Sequence, residues 1–219
     1  MGAVLKLLFL FSICLVISFP HSSPAQNYLV LQAGTLYPFE RTPSGFERQN
    51  LPGFTFAFTR ASLISDKISL YQGVSINQRV TQYLLVEKEQ THRSNLIYLN
   101  LPLEINYATS LHTLLGFAIA PGVNLLDAYS VHSDNGQTNS ILHAIWKKGG
   151  PYHKFDLLIS GHFQMNLTKQ LITRISFGQG IYPRLIKDAR NQATIPKENR
   201  YKTNWQILQL SAGWRLNRA

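Results

Sequence analysis

The sequence predicts an all-β protein, an eight-stranded antiparallel up-and-down barrel, and three observations predict it. Apolar and polar residues alternate along eight stretches of the chain. The connections between them are of hairpin scale, which gives a meander rather than alternating strand and helix units. Those connections also alternate in length, so that the short ones all fall at one end.

Asn95 to Tyr107 is the clearest of these stretches. Ile97, Leu99, Leu101, Leu103, Ile105 and Tyr107 share one side of an extended chain, and Tyr98, Asn100, Pro102, Glu104 and Asn106 share the other. Successive side chains of a strand point to opposite faces, whereas helical spacing would scatter the same apolar residues around an axis.

The segment ahead of the first strand has a different character. Lys6 precedes an apolar run, Leu7 to Phe19, and small residues at Ser23 and Ala25 follow. A basic start, an apolar core and a small-residue junction describe a secretory signal peptide, residues 1–25, cleaved before Gln26. The run is shorter than the roughly 20 residues a spanning helix needs. Cys14, the one cysteine of the chain, lies inside it, between Ile13 and Leu15, which is no lipidation site. The mature domain, residues 26–219, is therefore expected to hold no disulfide, thiolate metal site or cysteine nucleophile.

In order, the expected strands are Tyr28–Tyr37, Gly53–Leu63, Ser69–Leu85, Asn95–Tyr107, Leu111–Leu126, Lys154–Asn166, Gln170–Tyr182 and Asn204–Leu216. Phe54, Phe56 and Phe58 share a face of the second. In the third, Val74, Ile76 and Val80 oppose Ser75, Asn77, Arg79 and Thr81. The fifth sets Leu115, Phe117 and Ile119 against Gly116, Ala118 and Ala120, and the sixth sets Phe155, Leu157 and Phe163 against Asp156, Ser160 and His162. Short turns are expected at Ser65–Lys67, Ala108–Ser110 and Leu167–Lys169. Polar connections are expected over Pro38–Pro52, Val86–Arg93, Asp127–His153 and Pro183–Thr203. Within the longest, Ile141–Trp146 reads as a short helix or a strand extension.

Which face meets water separates a transmembrane barrel from a soluble lipocalin-like carrier. Charged residues make up 15% of the chain, against about 25% in ordinary soluble domains. The polar faces are built from Gly, Ala, Ser, Asn and Gln, a mixture suited to a tight interior. Short turns at one end and long loops at the other are the habit of outer-membrane barrels, with periplasmic turns and extracellular loops. Tyr28, Tyr37, Tyr71, Tyr107, Tyr182, Trp205 and Trp214 lie near strand ends, as interfacial girdles do. These signals favour the transmembrane barrel. Lipid cannot hydrogen-bond a backbone, so such a sheet must close, and eight strands enclose a space that side chains fill without a conducting pore.

Several segments resemble the outer-membrane β-barrel domain family that includes PorT-like proteins. They are Ser65–Gly73, Tyr98–Tyr107 with its Leu-Pro-Leu-Glu, Gly116–Gly122, Leu208–Trp214 and the Ala25–Gln26 junction. The resemblance implies an integral protein of a Gram-negative cell envelope and, in the PorT branch, a link to secretion and gliding machinery. The chain departs from many such barrels in running past Trp214 to Ala219 rather than ending on an aromatic residue.

Glu104, Arg79, Arg174 and Arg215 all fall on polar faces and are expected to form an ionic network inside the barrel, since an unpaired buried charge is costly. Lys147, Lys148, Lys187, Arg190, Lys197 and Arg200 fall in the long loops and are candidate contacts for lipopolysaccharide phosphates. The expected partners are outer-membrane lipid, lipopolysaccharide and an envelope protein complex. The net charge of +10 clusters into no nucleic-acid motif. The chain is not expected to be an enzyme. A lipid-A-modifying barrel enzyme is the alternative, with Ser160, His162, His153 and Asp156 as its candidates; a triad needs an oriented base and an oxyanion hole. The histidines are scattered, so no metal or cofactor is expected.

Overall fold

Period-two patterning dictates strands, and backbone groups facing an apolar surround must find partners within the sheet. The computed structural model describes residues 28–39, 46–85, 90–133, 138–144, 154–181 and 206–217. Among them, no helix is long and apolar enough to cross a membrane. The strands are β1 (Tyr28–Phe39), β2 (Phe46–Asn50), β3 (Gly53–Leu63), β4 (Ile68–Leu85), β5 (Gln90–Asn100), β6 (Leu103–Ala108), β7 (Thr113–Ser133), β8 (Thr138–Ala144), β9 (Phe155–Asn166), β10 (Leu171–Gly180) and β11 (Gln206–Asn217).

Pairing closes the sheet on itself. Antiparallel ladders run from β1 through β3 and β4 to β5 and β6, then through β7, β9, β10 and β11, and β11 pairs with β1 over twelve residues. β5 and β6 count as one strand of this eight-stranded ring. Ser75 pairs with Asn100 before the gap and Gln72 with Leu103 after it, so the register never shifts. Pro102, which has no N–H to donate, causes the interruption. Its carbonyl still accepts from the Gly73 N–H, and the Leu101 N–H donates to the Pro121 carbonyl.

Faces follow the expected parity. Phe54, Phe56, Phe58, Ile76, Ile105, Leu115, Phe117, Phe163, Ile175 and Phe177 point outward and are exposed, while Arg79, Asn100, Asn106, Glu104, His162, Gln164 and Arg174 are buried in the lumen. The large glycine count on the inner faces has a packing reason. Gly73 faces inward where an added Cβ would run into the Phe58 carbonyl of the neighbouring strand, the close approach that a tightly coiled small barrel demands.

Three expected connections carry more strand than patterning shows. β2 lies within Pro38–Pro52 and pairs with β4, and Gln90–Arg93 belong to β5 rather than to a loop. β7 continues to Ser133, beyond a bulge opposite Ile97/Tyr98, and pairs there with β8, which makes Ile141–Ala144 strand and not helix. These segments form a five-stranded sheet, β2-β4-β5-β7-β8, that rises beyond the ring at its long-loop end. Hydrogen bonding extends them past the apolar belt, so no apolar period marks them.

Two expected girdle residues are corrected. Tyr71 is fully buried in the lumen, and the Tyr28 hydroxyl hydrogen-bonds it there at 2.7 Å. Tyr71 shares its parity with Ser75 and Arg79, and that parity outweighs its nearness to a strand end. Tyr107 and Trp214 are exposed on the outer face, and Tyr182 and Trp205 lie outside the described residues.

Candidate functional site

The lumen is the most chemically distinctive part of the molecule, and it divides into two levels. At the short-turn level the Glu104 carboxylate on β6 faces Arg174 on β10, whose Nη1 donates to both of its oxygens at 2.9 and 2.8 Å. The other Arg174 nitrogen, Nη2, donates to Gln164 Oε1 on β9 at 2.8 Å. His162 Nε2 lies 2.5 Å from Asn106 Oδ1 and 3.9 Å from the Glu104 carboxylate. That approach is possible because Gly116 lies between them on β7, where a Cβ would overlap both His162 Nε2 and Asn106 Oδ1. Nearer the turns, Arg215 donates to Asn166 Oδ1 at 2.6 Å and stacks 5.0 Å over the Tyr28 ring.

The upper level has another character. Arg79 on β4 reaches across the barrel to Asp156 on β9, with Nη1 2.6 Å from Oδ2, and stacks 4.2 Å over the Tyr98 ring. Leu36, Leu96, Tyr98, Ala120, Leu158 and Ile207 form an apolar cluster at this level. Between the two levels is a cavity of about 50 Å³, lined by Thr55, Asn77, Glu104, Ser160, His162 and Arg174 among others. It has room for a few water molecules, since one needs about 10–15 Å³ on this measure.

The four charges expected to share one network therefore do not converge. Glu104 and Arg174 meet; Arg79 pairs instead with Asp156; Arg215 has amide and aromatic partners. Asp156 was legible as an inward carboxylate, yet its partner lies 77 residues away, a pairing that only barrel closure creates. Of the residues weighed for hydrolase chemistry, Ser160 and His162 line the same cavity, whereas Asp156 pairs with Arg79 at the upper level. Both Asp156 oxygens are engaged, one by Arg79 and the other by the Leu157 N–H at 2.9 Å. His162 Nε2 is engaged by the Asn106 side-chain amide. Ser160 lines the cavity, and His153 lies outside the described residues. Lys147, Lys148, Lys187, Arg190, Lys197 and Arg200 also lie outside them. Among the described residues no cluster of His, Cys, Asp and Glu suits a metal ion.

On the rising sheet, His92 Nδ1 sits 2.5 Å from the Tyr129 hydroxyl, and partial burial lowers the imidazole pKa. Nothing in the sequence marked this pair, because it sits in segments read as loop.

No protein-family model and no curated protein matches the sequence. Solved structures with similar backbones include Ail, the attachment invasion locus protein of Yersinia pestis, with TM-score 0.48 and 12% identity over 87% of this chain and 97% of that one. Neisserial surface protein A gives 0.42 and 12% over 88% and 97%, and the N-terminal β-barrel domain of Pseudomonas aeruginosa OprF gives 0.37 and 10% over 87% and 100%. At such scores these likenesses carry no argument, and the barrel stands on its own closed ladders.

Proposed function

We propose that this chain is an integral outer-membrane barrel without a conducting pore, which engages a partner through its long-loop end. The observation that carries this reading is the inverted polarity of the ring: phenylalanine, isoleucine and leucine outward, ion pairs and amides inward. A water-soluble lipocalin-like carrier requires the reverse. In lipid, an outward Phe177 gains what it would lose in water, and the closed ladder leaves no ring edge unpaired. The filled lumen supports a closed interior, since among the described residues ion pairs and an apolar cluster occupy it on either side of a cavity of about 50 Å³.

The short-turn end is assigned to the periplasm and the rising sheet to the outside. There the sheet and the basic loop residues Lys147, Lys148, Lys187, Arg190, Lys197 and Arg200 are proposed to meet lipopolysaccharide phosphates or an envelope protein. Membership of the PorT-like branch, with its link to secretion, is a finer proposal supported by the sequence motifs alone. The test is extraction of the membrane fraction with detergent, followed by gel mobility with and without boiling. A folded closed barrel shifts on heating; a chain recovered in the soluble fraction with a single mobility overturns the reading.

A further inference from the structure

We infer that the outer face of the ring carries a docking site for the phosphate headgroup of a periplasmic-leaflet phospholipid, built on Arg60 and Gln72. This inference rests on the membrane reading above. It starts from a break in the pattern. β3 presents Phe54, Phe56 and Phe58 outward, and the next residue of the same parity is Arg60. Directly opposite it on β4 stands Gln72, itself between the outward Leu70 and Val74, while Leu29 of β1 flanks Arg60 on its other side. Between the short turns and the base of the rising sheet, Arg60 is the one charged residue on the outer face among the described residues.

Neither side chain has a partner that explains it. Among the described residues Arg60 makes no ion pair. Gln72 is 3% exposed and its Oε1 has no hydrogen-bond partner. A charged residue inside a membrane span marks a functional site by default, and on a lipid face it is tolerated only close to the interface. The depth fits. Arg60 lies three residues from the end of β3, about 8 Å along the barrel axis at ~3.3 Å per residue and ~40° tilt. The exposed Tyr107 and Trp214 belong to the same end of the ring. A guanidinium presents paired donors that match two phosphate oxygens, and its stem lets the charge reach headgroup level. The Gln72 amide adds a donor for the same phosphate. A carboxylate from a neighbouring protein is the competing occupant.

Native mass spectrometry of the mature chain, refolded in detergent and supplied with phosphatidylglycerol or with diacylglycerol, tests this. The wild-type protein is expected to retain one phosphatidylglycerol at least threefold more than Arg60→Gln, with Arg60→Lys intermediate and Gln72→Leu closer to wild type. Diacylglycerol, which lacks the phosphate, should not be retained by either. Equal retention by wild type and Arg60→Gln, or equal retention of diacylglycerol, overturns the site. Heat-shifted mobility is measured on the same samples. A chain that never folds into a heat-modifiable form removes the membrane reading, whereas a heat-modifiable Arg60→Gln with unchanged lipid retention removes this inference alone.

Discussion

The two levels of the lumen each hold a buried ion pair, and they differ in the side chains and the space around it. Glu104 and Arg174 sit among Gln164, Asn106 and His162, beside a cavity that admits water. Arg79, paired with Asp156, stacks on Tyr98, a member of the buried apolar cluster. Isolated charges are costly wherever water cannot reach, so the worth of each pair depends on what remains if one member goes. Glu104 and Arg174 line the cavity and can recruit solvent from it to an orphaned charge, whereas Arg79 and Asp156 are not part of its lining.

Substitutions that orphan a charge should expose this difference most strongly. Asp156→Ala is expected to destabilise the barrel by about 5 kcal/mol and Glu104→Ala by about 3 kcal/mol, the two ends of the range for broken buried pairs. Urea unfolding from lipid vesicles, followed by heat-shifted mobility, measures both; equal losses would erase the distinction drawn here. Deleting both partners, as in Asp156→Ala with Arg79→Leu, should recover much of the loss, because no unpaired charge is left behind.

A charge moved to the other side of one strand sharpens the contrast between inside and outside. Ile175 follows Arg174 on β10 and is 53% exposed. Ile175→Arg is expected to cost about 2–4 kcal/mol near the bilayer midplane, although the residue before it is an arginine that the fold accommodates. An insertion yield into vesicles equal to wild type would count against lipid on that face. Filling the notch at the lower level should cost less: Gly116→Val drives its side chain into His162 and Asn106, an overpacking worth about 1–3 kcal/mol.

The smallest expected effect lies on the rising sheet, outside both levels. Burial depresses the His92 pKa below the ordinary value of 6.5. A histidine held neutral in the folded state contributes stability above its unfolded pKa, and that contribution is lost as pH falls through the lower folded value. NMR titration of the His92 ring should give a midpoint under 6.5, and a midpoint above it would contradict the burial.

How much of this was legible depended on whether the cause was local. Parity along the chain placed Phe54, Glu104, His162 and Arg174 on their correct faces, because a one-residue step in a strand reverses a side chain. Tyr71 was read as a girdle residue from its nearness to a strand end, whereas its parity with Ser75 and Arg79 is what turns it inward. Arg79 with Asp156 was out of reach, since which inward residues meet across a lumen depends on the closed ring and not on spacing. β2 and the upper reach of β7 were missed, and β8 was read only as one of two options for Ile141–Trp146, for another reason. They are held by ladder hydrogen bonds beyond the apolar belt, where nothing selects for an apolar period. Arg60 stood in plain view, one parity step after Phe58, and is informative because it violates the pattern around it.

The central claim is that the aromatic and aliphatic outer face meets lipid. With Cys14 the only cysteine in the sequence, nitroxides can be placed singly at Phe163, Ile175 and Phe177 in a chain of residues 26–219, which is otherwise free of thiols. In vesicles, collision rates should be high with oxygen, which partitions into lipid, and low with a water-soluble nickel chelate at all three positions. High nickel accessibility with low oxygen accessibility there would place this face in water and contradict the account.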